Sequence, residues 1–509
     1  MKKRTETERY LVILEVSQKQ AYIFGYKKLQ NNIIASDVIR YVTSKEFFKN
    51  TVPGMFEDSN MVYDGGGHTI LEFATEKLAR EFVMAVTRRV MELFPGLELF
   101  AKINAYDSDK TPGENEAELI RRLEEKKALR LASFHQGKFG IEAHINIEEK
   151  ILERESEMVK AIRQEPCFDT VKYRLAKKFE NLGGKKNESN FIAVVHIDGN
   201  LMGRRVASLE KEEKADDWAD YKNLKARFSR QIELDFQAAY EEMIHVVETN
   251  MDSLKEKFDC QDTKQPYFPV RNIILAGDDV CFVTEGRIGV ECARIFLEKI
   301  WGKVNSVDNK NYSACAGVAI VHQKYPFYKS YQLAEELCSN AKRMIAQLAE
   351  NEPGDQKGVA DLCAIDWHIE YGEMANGLME IRNQYKNQDE YHLEARPYLV
   401  CGEKRLMDLE PVRRYEYFKN YITAMQRKET IARSKLKELR GVLKQTRDAA
   451  ELYREINLMD NIFWRACDDY HLKEKSVFYQ TADGEMRSLV FDAIELMDAY
   501  LVLEQGGAK

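Results

Sequence analysis

Apolar and polar positions along this chain follow two rhythms, and the order of those rhythms recurs. Tyr10–Val16 is a short apolar run of the kind a buried strand carries. Gln20–Thr43 has helical spacing. Two apolar arms then flank Gly65-Gly66-Gly67 within 61–73, which predicts a hairpin. Thr75–Leu93 is amphipathic and stops before Pro95-Gly96. Leu97–Tyr106 reads as a strand and Glu114–Leu131 as a charged helix. Further on the series is replayed. Phe191–Ile197 predicts a strand, Ala276–Asp279 a hairpin tip, Ile288–Val304 a helix, Tyr312–Val321 a strand and Ser330–Ala349 a helix. Strand, helix, hairpin, helix, strand is the order of a ferredoxin-like or palm unit, and two copies support each other.

The expected fold class is therefore α+β, with two ferredoxin-like palm domains followed by an α-helical C-terminal domain. The first palm spans 1–165 and a linker spans 166–190, with Gly183–Asn187 as the hinge signal. The second palm spans 191–375 and carries a helical, charge-dense insertion at 207–265. Residues 376–509 form the helical remainder, in which Pro411–Met459 predicts a helical hairpin with alternating charge signs.

Composition narrows the class. At 509 residues the chain exceeds one typical domain, and 44% hydrophobic with 31% charged residues fits a globular protein. A net charge of −8 argues against binding nucleic acid mainly by charge, while a local basic groove stays open. The nine cysteines include no C-x-x-C pair, so reduced thiols and no zinc site of the usual spacing are expected. No apolar run reaches the ~20 residues that span a bilayer. No membrane association and a cytoplasmic location are the expectation.

Candidate chemistry sits where strands end. Ala193–Ile197 leads into Asp198-Gly199-Asn200, and the later hairpin tip is Ala276-Gly277-Asp278-Asp279. A strand-end Asp facing an Asp-bearing tip is how nucleotidyl-transfer palms hold divalent metals. Mg²⁺ takes hard oxygen ligands and borrows several from phosphates, so two or three carboxylates suffice. Asp198, Asp278 and Asp279 are the expected catalytic residues and the ligands of Mg²⁺ or Mn²⁺, with Asp198 and Asp278 at adjacent strand ends bridging the ions and Asp279 a further or orienting ligand. A glycine-rich strand-to-helix turn exposes amide donors, which makes Gly199, Asn200, Met202 and Gly203 candidates for phosphate contacts, together with Gly277. Lys342 offers a point charge for a triphosphate. Each feature also has an ordinary reading. Gly-Asp-Asp and Asp-Gly-Asn are turn signals, and a lysine late in a helix favourably meets the helix dipole. His196, in a buried strand, reads as a satisfied core histidine, and His68 carries no assigned role. Trp367-His368 and Arg396-Pro397-Tyr398 read as packing.

Taken together, these motifs resemble the large polymerase-palm subunit of type III CRISPR effector complexes and, more distantly, the GGDEF diguanylate cyclases. The resemblance covers about residues 8–375. It rests on Asp198-Gly199-Asn200-Leu201-Met202-Gly203, the Ala276–Asp279 tip, Ser313-Ala314-Cys315-Ala316-Gly317, Tyr325-Pro326, Ala341-Lys342, Gln20-Ala21-Tyr22-Ile23-Phe24 and Ala35-Ser36. Ala276 stands where the family has a glycine, and Asn200 where it has a carboxylate. No His-Asp dipeptide occurs, so the HD nuclease domain of many members is expected to be absent, as is their zinc insertion.

The resemblance implies conversion of ATP to cyclic or linear oligoadenylate second messengers in antiviral signalling. Its alternative is a non-catalytic nucleotide sensor or a scaffold of an RNA-guided complex. ATP is the expected ligand; effector proteins or RNA-guided complex subunits are the possible partners, and nucleic-acid binding is left open. The first palm, with Asp64 and Gly65-Gly66-Gly67-His68 at its tip and Glu15 near the position matching Asp198, is expected to bind a second nucleotide without catalysis. Gly65, Gly66, Gly67 and Ser36 are its candidate contacts, with Gln20 and Lys127 weaker ones. The glycines alone also fit a mere tight turn.

Overall fold

The computed structural model describes residues 9–94, 96–129, 154–163, 165–182, 190–212, 217–258, 265–350, 361–372, 377–427, 431–459 and 476–505. The hinge signal at Gly183–Asn187 lies outside them. Strands β1 (Tyr10–Ser17), β2 (Met61–Gly65), β3 (His68–Phe73) and β4 (Glu98–Ala105) make an antiparallel sheet in the order β2-β3-β1-β4. The second sheet repeats that order. Its β10 (Ala314–His322), β5 (Phe191–Gly199), β7 (Asp279–Glu285) and β6 (Val270–Ala276) are neighbours in sequence fourth, first, third, second. A separate small hairpin, β8 (Val304–Asn305) and β9 (Lys310–Asn311), precedes β10.

The second sheet is wider than a palm unit. β11 (Leu362–Glu370) runs parallel to β10, and β12 (Tyr398–Gly402) runs antiparallel to β11, giving six strands. So the part of the chain expected to be purely helical returns one strand to this sheet. Trp367 and Tyr398 stack there, 5.3 Å apart and 8° from parallel. The 411–459 stretch forms three short helices, Tyr415–Gln426, Arg433–Val442 and Arg447–Ile456, in place of one hairpin. Arg427 turns extended after the first, and Thr446 restarts the last by accepting from the Ala449 amide at 3.3 Å.

Period-2 alternation decides which face each strand residue serves. Ala193, Val195 and Ile197 of β5 face one core, built with the helices of the insertion and Gly289–Trp301. Ile192 and Val194 face the other, which they share with Val12, Leu14 and Val16 of β1 and with the Leu29–Val42 helix. One apolar core thus joins the back of the second sheet to the first palm.

The insertion adds a second link. Asp217 caps a 32-residue helix, Trp218–Thr249, through the Ala219 and Asp220 amides. Its first turns pack on the first palm: Trp218 and Tyr221 join Leu11, Ile13, Val62 and Ile70. Its later turns, from Phe228 to Val247, belong to the core of the second palm. Lys225 is buried and pairs with the Glu116 carboxylate, which also accepts from Tyr221 at 3.0 Å. Removing one member of a buried pair leaves the other charge uncompensated. Lys225→Met is therefore expected to destabilise the protein by about 3–5 kcal/mol, and Lys225→Met with Glu116→Gln to recover most of that, read from urea midpoints.

Glu155, in the helical turn at 154–158, is 2% exposed, and its Oε2 has no hydrogen-bond partner among the described residues. Burial pushes its carboxyl up to about 7, against the opposing Arg154. A carboxyl raised above its unfolded value favours folding in its protonated form, and that contribution fades as pH rises through about 7. Glu155→Gln should match the parent protein near pH 4 and exceed it by about 1 kcal/mol at pH 8.5, by thermal melting at both pH values. Equal stability at the higher pH would show that water reaches this carboxylate freely.

Candidate active site

Strand register brings the expected carboxylates together. β5 and β7 pair so that Asp198 lies opposite Asp279, and β5 also pairs with β10, placing Asp198 opposite Cys315. Gly277 and Asp278 form the two-residue turn between β6 and β7, with Gly277 at φ 65°, the left-handed geometry such a turn needs at its first position. Ala276 precedes it as the last residue of β6 and pairs with Asp279. Asp278 lies over Gly199. The Gly199 amide donates to the Asp278 carbonyl at 3.3 Å, and a Cβ at 199 would stand 2.9 Å from the Asp278 Cβ.

Three acids share one corner, and Asp198 disfavours the ionisation of the other two. Burial, then the nearby Asp198, pushes the carboxyls of Asp278 and Asp279 up to about 7 each. Both are half-buried, against the exposed turn that the sequence suggests, because the first palm and the Phe327–Glu350 helix close over the tip. Lys342 on that helix donates to Asp198 Oδ2 at 2.6 Å and to the Gly199 carbonyl at 2.9 Å. Burial works against its ammonium, and the Asp198 carboxylate outweighs that and holds its pKa up. His196 is buried and kept neutral by that burial. Its Nδ1 sits 3.6 Å from Asp279 Oδ1, and neither atom has a hydrogen-bond partner among the described residues. It is a core histidine with one nitrogen left unsatisfied.

The strand-to-helix corner divides its residues between structure and surface. Asn200 is buried, and its amide donates to Ser313 Oγ at 3.2 Å and to the Leu362 carbonyl at 3.0 Å, tying β5 to β10 and β11. Leu201 takes φ 57°, and the helix Met202–Glu212 begins directly after it. Met202 is buried, whereas Gly203 is exposed and a Cβ there would meet nothing within 4 Å. Arg205 fixes this helix by a fork to both oxygens of Asp308, at 2.7 and 2.8 Å.

The first palm repeats the layout with different groups. Glu15 lies opposite His68, as Asp198 lies opposite Asp279. Lys127 stands 2.9 Å from Glu15, as Lys342 stands beside Asp198. The turn is Gly66-Gly67, at φ 57° and 75°. At Gly67 a Cβ would lie 2.7 Å from Ile39 Cγ2 and 3.1 Å from Lys19 Cε, so a side chain has no room. Lys19 donates to the Gly66 carbonyl and lies 3.8 Å from Glu15. Burial, then Lys19, Lys225 and Lys127, depresses His68 to about 3, so it is neutral. Asp64 and Gly65 close β2, and Gln20 donates to Glu335 at 2.8 Å, bridging to the second palm.

Between the palms lies a groove of about 1640 Å³. Glu15, Lys19, Ser36 and Gly65–Gly67 line it from the first palm, and Gly277 and Asp279 from the second. Arg227 and Arg230 line it from the long insertion helix. Lys19 and these arginines are absent from the sequence-based candidates. The repeat does not signal Lys19: it stands four residues after Glu15, where the second palm has Met202 after Asp198. Among the described residues no three His, Cys, Asp or Glu side chains are gathered tightly enough to hold a metal ion by themselves. Asp198 is held by Lys342 and Asp279 Oδ1 has no partner among the described residues, so an ion held here would draw further oxygen ligands from substrate phosphates.

Residues 191–347 match the family model described as Cas10/Cmr2, second palm domain. The segment 191–347, which carries β5, β6, β7 and β10, is similar to a Cas10/Cmr2 second palm. Solved structures with this fold include a Csm1–Csm4 subcomplex of the type III-A CRISPR-Csm interference complex, at TM-score 0.57 and 13% identity over 97% of this chain and 70% of that one. A Csm1–Csm4 cassette in complex with cA4 gives 0.56 and 13%, over 97% and 70%. The apo cassette gives 0.47 and 13% over 67% of this chain, which spans about half, 53%, of that chain. At such identities the likeness is one of fold. No curated protein matches the chain. Among the described residues no helix is long and apolar enough to cross a membrane.

Proposed function

We propose that the palm pair is a metal-dependent nucleotidyltransferase that joins ATP into cyclic or linear oligoadenylate, within type III CRISPR antiviral signalling. The observation that carries this reading is the register of Asp198 with Asp279, which lines a groove that both palms share. Burial and the neighbouring Asp198 push the Asp279 carboxyl up to about 7, and Asp279 Oδ1 is a buried oxygen with no partner among the described residues, an environment that a bound cation would relieve. Bound Mg²⁺ or Mn²⁺ would lower the pKa of an attacking 3′-hydroxyl and neutralise the pyrophosphate that leaves. Asp198 and Asp279, with Asp278, would hold it.

The chain's own groups divide the remaining work. A 3′-oxygen bonds to the α-phosphorus of ATP, the bond to pyrophosphate breaks, and the hydroxyl proton passes to solvent. Lys342 sets a fixed positive charge at the strand end, and open space at Gly203 leaves the first turn of its helix accessible to phosphate. The first palm, with Glu15 and neutral His68 in place of two aspartates, would hold a second ATP and not catalyse. Gly66, Gly67, Ser36, Lys19 and Lys127 would contact it. The Csm4 partner of the similar structures suggests a comparable subunit here, and a cytoplasmic location fits that role.

A non-catalytic nucleotide sensor is the second reading. It is favoured by Lys342, which already neutralises Asp198, and by Asn200, which is spent on Ser313 and Leu362. Incubation with labelled ATP and Mg²⁺ or Mn²⁺ separates the two. Oligoadenylate with released pyrophosphate supports the synthase, and ATP binding without pyrophosphate supports the sensor.

A further inference from the structure

The first palm places a cation opposite the acids of the second. Lys19 opens the short helix Lys19–Phe24, and that helix is docked on the second palm. The next residue, Gln20, donates to Glu335 at 2.8 Å and approaches the Tyr331 hydroxyl at 3.4 Å. Phe24, at the other end, stacks on Tyr331 at 3.9 Å. Tyr331 meets His196 edge-on at 5.4 Å, and His196 Nδ1 lies 3.6 Å from Asp279 Oδ1. The helix therefore sits beside the Asp279 corner, and Lys19 and Asp279 line the same groove. Lys19 is half-buried, and its ammonium makes one hydrogen bond among the described residues, to the Gly66 carbonyl. Glu15, 3.8 Å away, is held more closely by Lys127, at 2.9 Å. Burial lowers the Lys19 pKa, while Glu15 and, across the groove, Asp279 favour its charge. A Cβ at Gly67 would stand 3.1 Å from Lys19 Cε, so the glycine turn makes room for this side chain. Met202, at the matching place in the second palm, carries no charge. A half-buried ammonium with open donors is unfavourable until an anion completes it.

We propose that Lys19 is a catalytic residue acting across the palm boundary: it contacts the phosphates of the ATP joined at Asp198 and Asp279 and stabilises the charge that builds as pyrophosphate departs. The proposal rests on the nucleotide-joining reading above and adds to the contact Lys19 makes with the first-palm nucleotide. The 3′-oxygen bonds to the α-phosphorus, the bond to pyrophosphate breaks, and its electron pair stays on the departing oxygen. The hydroxyl proton goes to solvent, and Lys19 keeps its own. A fixed ammonium that meets more charge in the transition state than in bound ATP raises kcat more than it raises affinity. The first palm thus joins no nucleotides itself and completes the site of its neighbour.

The test compares Lys19→Met and Lys19→Arg with the parent protein. It measures pyrophosphate release at saturating ATP with Mn²⁺, ATP affinity with Ca²⁺ in place of Mn²⁺, and a thermal melt. Lys19→Met should lower kcat by about tenfold to a hundredfold while affinity falls by no more than about threefold, and Lys19→Arg should recover most of the rate. An ATP analogue with CH₂ in place of the β,γ-bridging oxygen has a poorer leaving group. With it the loss in Lys19→Met should widen, which a merely structural lysine would not cause. If kcat stays within about threefold of the parent and only affinity falls, Lys19 serves the first-palm nucleotide alone and the proposal is overturned. If Lys19→Met melts far below the parent and Lys19→Arg recovers no rate, the lysine only seats the glycine turn, and the proposal is again overturned. If the parent binds ATP and releases no pyrophosphate, the joining reading itself fails and takes the proposal with it.

Discussion

Asp279→Asn is expected to lower oligoadenylate synthesis by about 10³-fold or more while leaving the protein as stable as its parent or more so. Loss of one charged metal ligand removes several kcal/mol of stabilisation from the transition state, and each ~1.4 kcal/mol is a factor of ten. The opposite sign for stability follows from the same geometry. Asp279 is packed beside Asp198 without a hydrogen bond to Oδ1, and burial with that neighbour raises its carboxyl to about 7. An amide of the same shape carries no charge to bury and none to repel, so the corner relaxes. Asp278→Asn should behave alike, since its carboxyl is raised by the same two causes. Product separation from labelled ATP gives the rate, and a thermal melt gives the stability. A variant that keeps more than a tenth of the parent's synthesis would remove Asp279 from the site. A variant that loses synthesis and also melts far below the parent would mean that the aspartate holds the hairpin together instead.

Local pattern carried much of this site, and long-range pairing carried the rest. The order of elements in each palm was legible because strand and helix periods alternate cleanly from Tyr10 to Leu93 and again from Phe191 onward. That Asp198 would meet the hairpin tip could be anticipated from a strand end and a two-residue turn, but the register sets it opposite Asp279, with the expected partner Asp278 in the turn itself. The direction of Asn200 could not. Its amide reaches Ser313 and Leu362, which lie more than a hundred residues away, and nothing near position 200 marks them. β12 escaped for a similar reason: five residues, Tyr398–Gly402, become a strand only because β11 offers an open edge. The insertion read as helical and charge-dense. Yet Lys225 and Trp218 within it are buried against the first palm, a fate set by Glu116 and Glu72 far upstream. Charge density by itself does not say which few members of a charged run find a buried partner. Lys127 is a candidate in the sequence, whereas Lys19 is not, because its counterpart in the second palm is Met202 and only the folded contact with Glu15 reveals it.

Gly317→Ala is expected to be the most damaging methyl among the described glycines, and its reach extends to the site. A Cβ at 317 on β10 would lie 1.9 Å from the Ala334 carbonyl oxygen, 2.4 Å from the Cys338 amide nitrogen and 2.9 Å from the Leu337 Cβ. The first two are backbone atoms of the Phe327–Glu350 helix, so no rotamer change relieves the contact and the helix itself must move. Overpacking of a tight core typically costs 1–3 kcal/mol, and a clash with helix backbone puts this substitution at about 3 kcal/mol or above. That helix also carries Lys342, whose 2.6 Å contact to Asp198 depends on its seat. Its Tyr331 stacks on Phe24 at 3.9 Å, across the palm–palm boundary. Lifting the helix therefore loosens the lysine from the aspartate and the two palms from each other. Gly441→Ala is the matched control. It lies in the Arg433–Val442 helix with open space around its Cβ position, and it should stabilise by about 0.5–1 kcal/mol through helix propensity alone. Urea midpoints for the two variants decide the matter. If Gly317→Ala unfolds within about 1 kcal/mol of the parent, the helix is not seated on Gly317 as described, and the position of Lys342 beside Asp198 loses its support.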